Sequence, residues 1–240
     1  MNNEKVRYTE LLPDEFRQRL ARRPVAYLPL GTLEWHGEHL PLGSDICQSE
    51  GLMVECARQL GGIVMPPIYL GPDDAMVTEG AQILYGMDYS ASTTPPRRLE
   101  GSCYWVSNGF FKSLIDAVLI QLRRAEFRAV FADGHGPSRC SWVEDIAERE
   151  ARLGLKLLGV TPDISEQWKS QTDHAGRNET SLMLALRPDL VDMSHLPCSL
   201  STWPQGVEGE DPREATVDWG RECIAASVAL VKQKFEEAGL

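Results

Sequence analysis

The segment that most constrains the fold of this chain is Val25–Leu30, because it is almost entirely apolar and a dense group of titratable residues follows it. Such a run is typical of a strand buried on both faces of a parallel sheet. Unpaired charge is costly at the end of a buried strand, and carboxylates and imidazoles are ligands of zinc, manganese and iron sites. The sequence therefore predicts a divalent metal site within residues 31–45. The titratable residues there are Glu34, His36, Glu38, His39 and Asp45.

The rest of the chain alternates between strand-like and helix-like segments, with no internal repeat and no linker. Strands separated by helices predict one α/β domain, with a parallel sheet of about four to six strands covered on both faces. Residues 71–104 are rich in Gly, Pro, Ser and Thr, and we expect them to form a long loop that is either functional or disordered. The expected strands are 25–30, 63–70, 128–132 and 155–160, and the expected helices are 13–22, 47–60, 110–125, 140–153, 178–187 (capped by Asn178) and 216–238.

The composition argues against several classes of protein. The formal net charge is −11 and no basic run is longer than two residues, which argues against nucleic acid or an anionic membrane as partner. No apolar stretch approaches the roughly 18–20 residues of a membrane span. Residues 1–5 are polar and lack the apolar core of a signal peptide, so we expect a cytoplasmic protein. The six cysteines form no CxxC pair, and we expect them to be reduced thiols.

A second polar motif, Asp133-Gly134-His135-Gly136, follows the strand expected at 128–132. Ligands of open α/β sheets bind beyond the carboxyl ends of the strands, which is where both polar motifs would lie. If this strand is a neighbour of Val25–Leu30, a spacing of about 4.8 Å brings His135 within reach of the first group of titratable residues. The two motifs would then form one site.

A third motif, Asp173–Ser181, places the imidazole of His174 and the carboxylate of Glu179 near the start of a helix. Taken singly, these residues have structural explanations. Asp45 could cap a helix, Glu179 could complement a helix dipole, and His135 could be a turn residue between glycines. Three polar motifs at loop positions nevertheless form the pattern expected of a site that the fold assembles.

The three motifs resemble those of the creatininase family, which comprises creatinine amidohydrolases and their relatives. Glu34–Asp45 matches E-x-H-G-x-H-L-P-x-x-x-D, Asp133–Gly136 matches N-G-H-G with Asp in place of Asn, and His174–Ser181 matches H-x-G-x-x-E-T-S. They occur in family order within residues 25–192. The resemblance implies a three-layer α/β/α sandwich with a mostly parallel central sheet, formed by a single metallohydrolase domain over residues 1–240. It also implies a homohexamer that acts on a small molecule.

The resemblance further implies two divalent ions per chain, which zinc, manganese or iron could supply. Creatininase itself draws one carboxylate ligand from the second residue after the motif histidine. That residue is Pro137 here, which cannot bind a metal, and we expect Glu179 to supply the missing oxygen. The expected ligands are Glu34 and His135 on one ion, His36 and Glu179 on the other, and Asp45 between the two.

We expect His174 to carry a proton to the leaving group, because an unperturbed imidazole titrates near pH about 6.5. Glu179 is a second candidate for a catalytic role. Other residues are expected to orient the ligands or to contact the substrate, and these are Glu38, His39, Asp73, Ser102, Tyr104 and Asp133.

Three functions are compatible with the sequence. The first is hydrolysis of a C–N bond in a cyclic amide or formamide, and the second is hydrolysis of a C–C bond in an oxidised cyclitol such as a dehydro-inosose. The polar segments 71–74 and 88–100, and the lack of an aromatic residue in Lys169–Asp173, favour a hydroxyl-rich substrate over creatinine. The third is a metal-depleted binding protein, which only the loss of a ligand at Pro137 supports.

Overall fold

Four parallel strands form the central sheet of the protein. The computed structural model describes residues 4–240, so residues 1–3, part of the polar start used for the cytoplasmic prediction, lie outside it. The strands are β1 (Val25–Leu30), β2 (Ile63–Val64), β3 (Ala75–Val77), β4 (Ile83–Tyr85), β5 (Ala129–Gly134) and β6 (Lys156–Leu158). Within the sheet the order is β2-β1-β5-β6, whereas β3 and β4 form a separate antiparallel hairpin.

Helices cover both faces of this sheet. They are α1 (Pro13–Arg22), α2 (Ser44–Leu60), α3 (Asn108–Arg124), α4 (Gly136–Glu144), α5 (Ile146–Leu153), α6 (Arg177–Leu186) and α7 (Val217–Glu237). The helix expected at 140–153 is therefore two helices, and the first of them begins directly after His135. None of the helices within residues 4–240 is long and apolar enough to cross a membrane. The six cysteines are free thiols, as expected.

The side chains of β1 alternate between the two faces and so anchor both helical layers. Tyr27 packs in a core with residues of α2 and α7, whereas Ala26 and Leu28 pack in a second core with residues of α3. All six residues of β1 are buried, as are all six of β5. The expected three-layer α/β/α arrangement is confirmed.

The neighbouring strands β1 and β5 run in register to their carboxyl ends, where Leu30 pairs with Gly134. Glycine is required at this point. The φ of Gly134 is +155°, and an added Cβ would overlap the carbonyl oxygen of Leu30. The loops that leave the two strands consequently begin side by side, at one edge of the sheet.

Two parts of the expected secondary structure are wrong. The strand expected at 63–70 ends at Val64, because Pro66 and Pro67 have no N–H to donate to a neighbouring strand. The chain still follows β1 there, since the N–H of Ile68 donates to the carbonyl oxygen of Pro29. Residues 71–104 are not a continuous loop, because they contain the β3–β4 hairpin.

The start of α6 also differs from the expectation. The helix begins at Arg177 rather than at Asn178. The carboxylate of Asp173 accepts hydrogen bonds from the N–H groups of Asn178 and Glu179, at 2.8 and 3.1 Å. The side chain of Asn178 instead binds the preceding loop, where it donates to the carbonyl oxygen of Lys169. A carboxylate five residues upstream therefore caps this helix in place of the expected amide.

The core on the α3 side gives a stability test. Leu119 of α3 is fully buried in the core with β1 and β5, whereas 46% of its neighbour Ile120 is exposed. We expect Leu119→Ala to lower the free energy of unfolding by about 2–5 kcal/mol, because it removes buried methyl groups and leaves a cavity. Ile120→Ala, on the same helix, should change it by less than about 1 kcal/mol. Urea unfolding followed by circular dichroism measures both, and equal losses would contradict this packing.

Candidate metal centre

A cavity of about 260 Å³ opens at the carboxyl ends of β1 and β5. We call it the metal cavity. No lysine or arginine occurs among its lining residues within the described chain, although a concentration of buried carboxylates needs compensating positive charge. The acidic residues that line it are Glu34, Asp45, Asp73, Asp173, Glu179 and Glu208, and the imidazoles are those of His135 and His174.

The first group of facing ligand atoms belongs to His36, Asp45 and Glu179. His36 Nε2 lies 3.4 Å from Asp45 Oδ1 and 3.4 Å from Glu179 Oε2. The other ring nitrogen, Nδ1, donates to the carbonyl oxygen of Glu34 at 3.1 Å, which directs the lone pair of Nε2 toward the two carboxylates. Ligands about 2.1 Å from a tetrahedral zinc ion lie about 3.4 Å from one another. These three atoms therefore have the spacing of ligands around one ion.

The second group surrounds His135. Its Nδ1 lies 2.9 Å from Glu34 Oε1 and 3.1 Å from Asp45 Oδ2. Its Nε2 lies 3.3 Å from Asp73 Oδ2, so a carboxylate faces the outer nitrogen, as is usual for a histidine that binds metal. Asp45 thus presents Oδ1 to His36 and Oδ2 to His135, which is the arrangement of a bridging carboxylate.

The carboxylate of Glu179 faces His36 in the metal cavity, whereas Pro137 has no side-chain oxygen that could bind a metal. Both residues line the cavity. Glu179 lies in the first turn of α6 and is 2% exposed. Its Oε2 accepts a hydrogen bond from the N–H of Ala175 at 2.8 Å, which fixes the carboxylate toward His36.

His174 lies at the rim of the same group. Its ring stacks on that of His36, with centroids 4.2 Å apart. Its Nε2 donates to the carbonyl oxygen of Trp35 at 2.7 Å, which leaves the lone pair on Nδ1, 3.8 Å from Glu34 Oε1. Burial, assisted by the charge of His36, lowers the pKa of His174 to about 4. The imidazole is therefore neutral near pH 7 and has a free acceptor beside the cavity.

In the metal-free protein, protons on His36 and Glu179 offset the negative charge of the buried carboxylates. Burial by itself lowers the pKa of His36, but Asp45 and Glu179 outweigh burial and raise this pKa to about 10. Burial, reinforced by the charge of Asp45, raises the pKa of Glu179 to about 8. Burial opposes ionisation of Asp45, yet His36 and His135 hold the pKa of this carboxyl well below its ordinary value. Cations that bind here must displace these protons.

Comparison with known proteins agrees with this geometry. The model of the creatininase family, described as creatinine amidohydrolase, matches residues 9–234. The chain belongs to the creatininase family. Its members are metal-dependent amidohydrolases, so the chain is a metal-dependent hydrolase, and the resemblance of the three motifs is confirmed.

Individual relatives are distant. The chain is 28% identical to the creatinine amidohydrolase of Pseudomonas putida over 207 residues, which cover 78% of this chain and 74% of that protein. It is 27% identical to the mycofactocin precursor peptide peptidase of Mycobacterium ulcerans (strain Agy99) over 234 residues, which cover 85% and 82%. The family therefore includes relatives with different named substrates at nearly equal distance from this chain.

Solved structures share the fold. A crystal structure of creatinine amidohydrolase superimposes with a TM-score of 0.72 at 20% identity, over 98% of both chains. A Zn–Zn variant of creatininase and a manganese creatininase give TM-scores of 0.71 and 0.70 at 21% and 22% identity, each over 98% of this chain and 99% of that chain.

Two titratable residues of the first motif neither line the metal cavity nor belong to a group of facing ligand atoms within residues 4–240. Glu38 is exposed in the turn at residues 37–39, so the expectation that it orients a ligand is wrong. His39 is 2% exposed, and its Nε2 lies 2.9 Å from Thr180 Oγ1, next to Glu179. Burial, with the nearby charge of His36, lowers the pKa of His39 to about 4. This histidine ties the loop after β1 to α6.

Three other residues expected to contact the substrate or orient the ligands have different contacts. Ser102 Oγ accepts a hydrogen bond from the N–H of Trp35 at 2.7 Å and thus holds the loop that carries His36. The side chain of Tyr104 is 44% exposed, and only its carbonyl oxygen reaches this loop, so a substrate contact by the ring is not supported. Asp133 is paired with Arg139 and does not line the metal cavity, because it precedes the turn at Gly134.

Sequence reasoning missed Glu208, which lines the metal cavity, and two further features of the site. Gln171 donates to Asp45 Oδ1 at 2.9 Å, and an isolated glutamine carries no recognisable sequence signal. Trp105 stacks on Tyr85 with ring centroids 5.6 Å apart, and it lies 6.1 Å from the ring of His135. Both aromatic residues belong to the segment 71–107. No local sequence pattern indicated that this segment packs at the edge of the sheet.

The protonation of the site predicts proton release on metal binding. With pKa values of about 10 and about 8, His36 and Glu179 are mainly protonated at pH 7 in the protein alone. Zinc or manganese requires the deprotonated ligands, so apparent affinity should rise as the pH rises. Isothermal titration of the metal-free protein at pH 7, in two buffers of different ionisation enthalpy, measures the protons released. A binding enthalpy independent of the buffer would contradict this protonation.

Proposed function

We propose that this protein hydrolyses the C–N bond of a polar amide at a dinuclear metal centre. The observation that carries the proposal is the position of Asp45, whose two carboxylate oxygens face different histidines at 3.4 and 3.1 Å. The donor set of carboxylates and imidazoles suits zinc and manganese alike. The proposed ligands are Glu34, His36, Asp45, His135 and Glu179.

The ligand atoms pass a simple test of fit. His36 Nε2 is buried and has no hydrogen-bond partner of good geometry among residues 4–240. A buried polar atom without a partner is costly, and a shared cation would satisfy it together with the two carboxylates that it faces. In this proposal Glu179 takes the place of the ligand lost at Pro137, which weakens the one sequence argument for a metal-depleted binding protein.

Two bound cations would lower the pKa of a water molecule and polarise the substrate carbonyl. The chain itself supplies the proton carrier. His174 Nδ1 has a free lone pair at the cavity, and the carbonyl of Trp35 holds the ring through Nε2–H. The imidazole can therefore accept a proton at Nδ1 and pass it to the departing nitrogen. Glu179 is held by Ala175 N–H toward His36, which favours a role as ligand over a role as proton carrier.

The shape of the site supports a second candidate substrate, a longer amide. A side cavity of about 550 Å³ adjoins the metal cavity and shares Asp73, Gly136 and Pro137 with it. A cyclic amide or formamide needs only the metal cavity, whereas a peptide-like amide could extend across Pro137. The mycofactocin precursor peptide peptidases among the relatives favour this candidate. Hydrolysis of a C–C bond in an oxidised cyclitol stays a prediction.

The cytoplasmic location and the homohexamer also stay predictions. Free thiols at all six cysteines support a reducing compartment. The small-molecule substrate is consistent with a creatininase variant of the same fold that is complexed with creatine.

Substitution of two residues separates metal binding from catalysis. We expect Asp45→Ala to abolish both metal retention and turnover, because it removes the ligand that faces both histidines. His174→Ala should keep the metal but lower kcat by about 10²–10⁴-fold, because it removes the proton carrier. Elemental analysis after gel filtration, combined with activity assays, measures both effects. His195→Ala is the matched control, since that histidine is exposed, pairs with Asp192 and does not line the metal cavity. Loss of metal from His174→Ala would contradict our assignment.

A substrate panel tests the reaction itself. We expect protein loaded with zinc or manganese to hydrolyse a formamide, a cyclic amide or an acylated dipeptide, and to leave a diketo-cyclitol unchanged. Ring opening of the cyclitol without any amide hydrolysis would contradict the proposal and favour C–C cleavage. Turnover of no compound by protein that holds two ions would favour a binding role.

The side cavity can be tested in the same panel. Cys140→Trp would fill this cavity, which Cys140 lines at an exposed position away from the proposed ligands. We expect this variant to lose kcat/KM for the dipeptide while it keeps that for the formamide. An equal effect on both substrates would contradict the longer-amide candidate.

A further inference from the structure

We infer that Gln171 is a positioning residue that holds the carboxylate of Asp45 in its bridging orientation. The inference rests on the proposed function, because it concerns the same metal centre. It adds a residue that is neither a ligand nor a proton carrier. Gln171 is 8% exposed and lines the metal cavity together with Asp45 and Asp173.

Within residues 4–240, the hydrogen bonds of the Gln171 side chain are directed at Asp45 alone. Its Nε2 donates to Asp45 Oδ1 at 2.9 Å and also lies 3.2 Å from the carbonyl oxygen of Asp45. Only the amide nitrogen can face these atoms, because the amide oxygen would meet two acceptors there. The Gln171 side chain therefore contacts both the carboxylate and the backbone carbonyl of Asp45, from which it is 126 residues apart in sequence.

The oxygen that Gln171 contacts is the one that faces His36, at 3.4 Å. A carboxylate oxygen offers two lone-pair directions. The amide N–H of Gln171 takes one lone pair of Asp45 Oδ1, so the other lone pair faces His36 and Glu179. The same hydrogen bond resists rotation of the carboxylate about its Cβ–Cγ bond. Without this hydrogen bond, both oxygens of Asp45 could turn toward the same ion. A neutral amide does this without the charge of Lys or Arg, which would compete with the cations.

The backbone of Gln171 supports a functional constraint. Its φ is +54°, in the left-handed region, and Ala175 has a φ of +50°. Such conformations cost about 1–3 kcal/mol in residues other than glycine, and they persist only where the surroundings enforce them. The two strained residues enclose Asp173 and His174. Thr172 N–H donates to Asn178 Oδ1 at 3.1 Å, which fastens this short segment to α6. The segment thus fixes Gln171 and His174 together.

The test uses three variants that separate the amide from the backbone. Gln171→Gly removes the amide but tolerates the left-handed φ, and Gln171→Asn keeps an amide in a residue that also tolerates this φ. Gln171→Glu keeps the size but places a carboxylate against Asp45. Each protein is titrated with manganese alone against a chelating indicator, and its manganese electron paramagnetic resonance spectrum is recorded.

We expect wild-type protein to bind two ions per chain with an exchange-coupled spectrum. Gln171→Gly should bind the second ion at least tenfold more weakly and show the spectrum of isolated ions, and Gln171→Glu should be weaker still. Gln171→Asn should recover part of the coupled signal. The melting temperature of metal-free Gln171→Gly should stay at or above that of the wild type, because glycine relieves the backbone strain.

Two results would overturn the inference. One is wild-type affinity and an unchanged coupled spectrum in Gln171→Gly, which would show that the amide does not position Asp45. The other is an equal weakening of both ions with a lower melting temperature of the metal-free protein, which would show a merely structural role. If wild-type protein itself binds fewer than two ions, the proposed dinuclear centre fails instead, so the two failures are distinguishable.

Discussion

The parallel pairing of β1 with β5 is the interaction on which the rest of the site depends. The two strands pair over six residues and end together at Leu30 and Gly134. The loops beyond them can therefore bring His36 and His135 to opposite sides of one carboxylate. A shift of register by two residues would move one loop by about 6.6 Å along the sheet, which is more than the reach of a hydrogen bond or a metal ligand. The core residues of β1 and β5, which set this register, consequently determine the geometry of the metal cavity.

The two proposed acidic ligands that come from helices both lie at helix starts. Asp45 is in the first turn of α2 and Glu179 is in the first turn of α6. Helix amino termini carry a partial positive charge that stabilises a nearby carboxylate by about 0.3–1 kcal/mol. The structural explanation and the ligand explanation of these residues are therefore compatible. Neither side chain caps its own helix, and each is directed at His36 instead.

The sequence predicted the part of the site that local pattern encodes. A buried strand followed by carboxylates and imidazoles has a recognisable pattern, so Glu34, His36, Asp45 and His135 could be named as candidates before the fold was known, whereas the ligand role of Glu179 followed from the resemblance to the creatininase family. Long-range placement is not encoded in this way. Glu38 has the same chemistry as Glu34, but the turn at Gly37 sends it outward into solvent. Gln171 reaches Asp45 from a residue with a left-handed backbone, and Asp73 reaches His135 from the loop just before the β3–β4 hairpin, in a segment without a regular hydrophobic period.

The convergence of separate segments on Asp45 has a consequence for the whole molecule. Asp45 and His135 are 90 residues apart in sequence, and Glu179 belongs to a third segment on the far side of the chain. In the proposed centre, each ion would be a removable cross-link between these segments, in addition to their packing and to hydrogen bonds such as that between His135 and Asp45. An ion present at a hundredfold excess over its Kd would add about 2.7 kcal/mol to the stability of the folded chain. If the proposed ions bind, the metal supply in the surroundings would set the stability of the folded protein as well as its reaction rate.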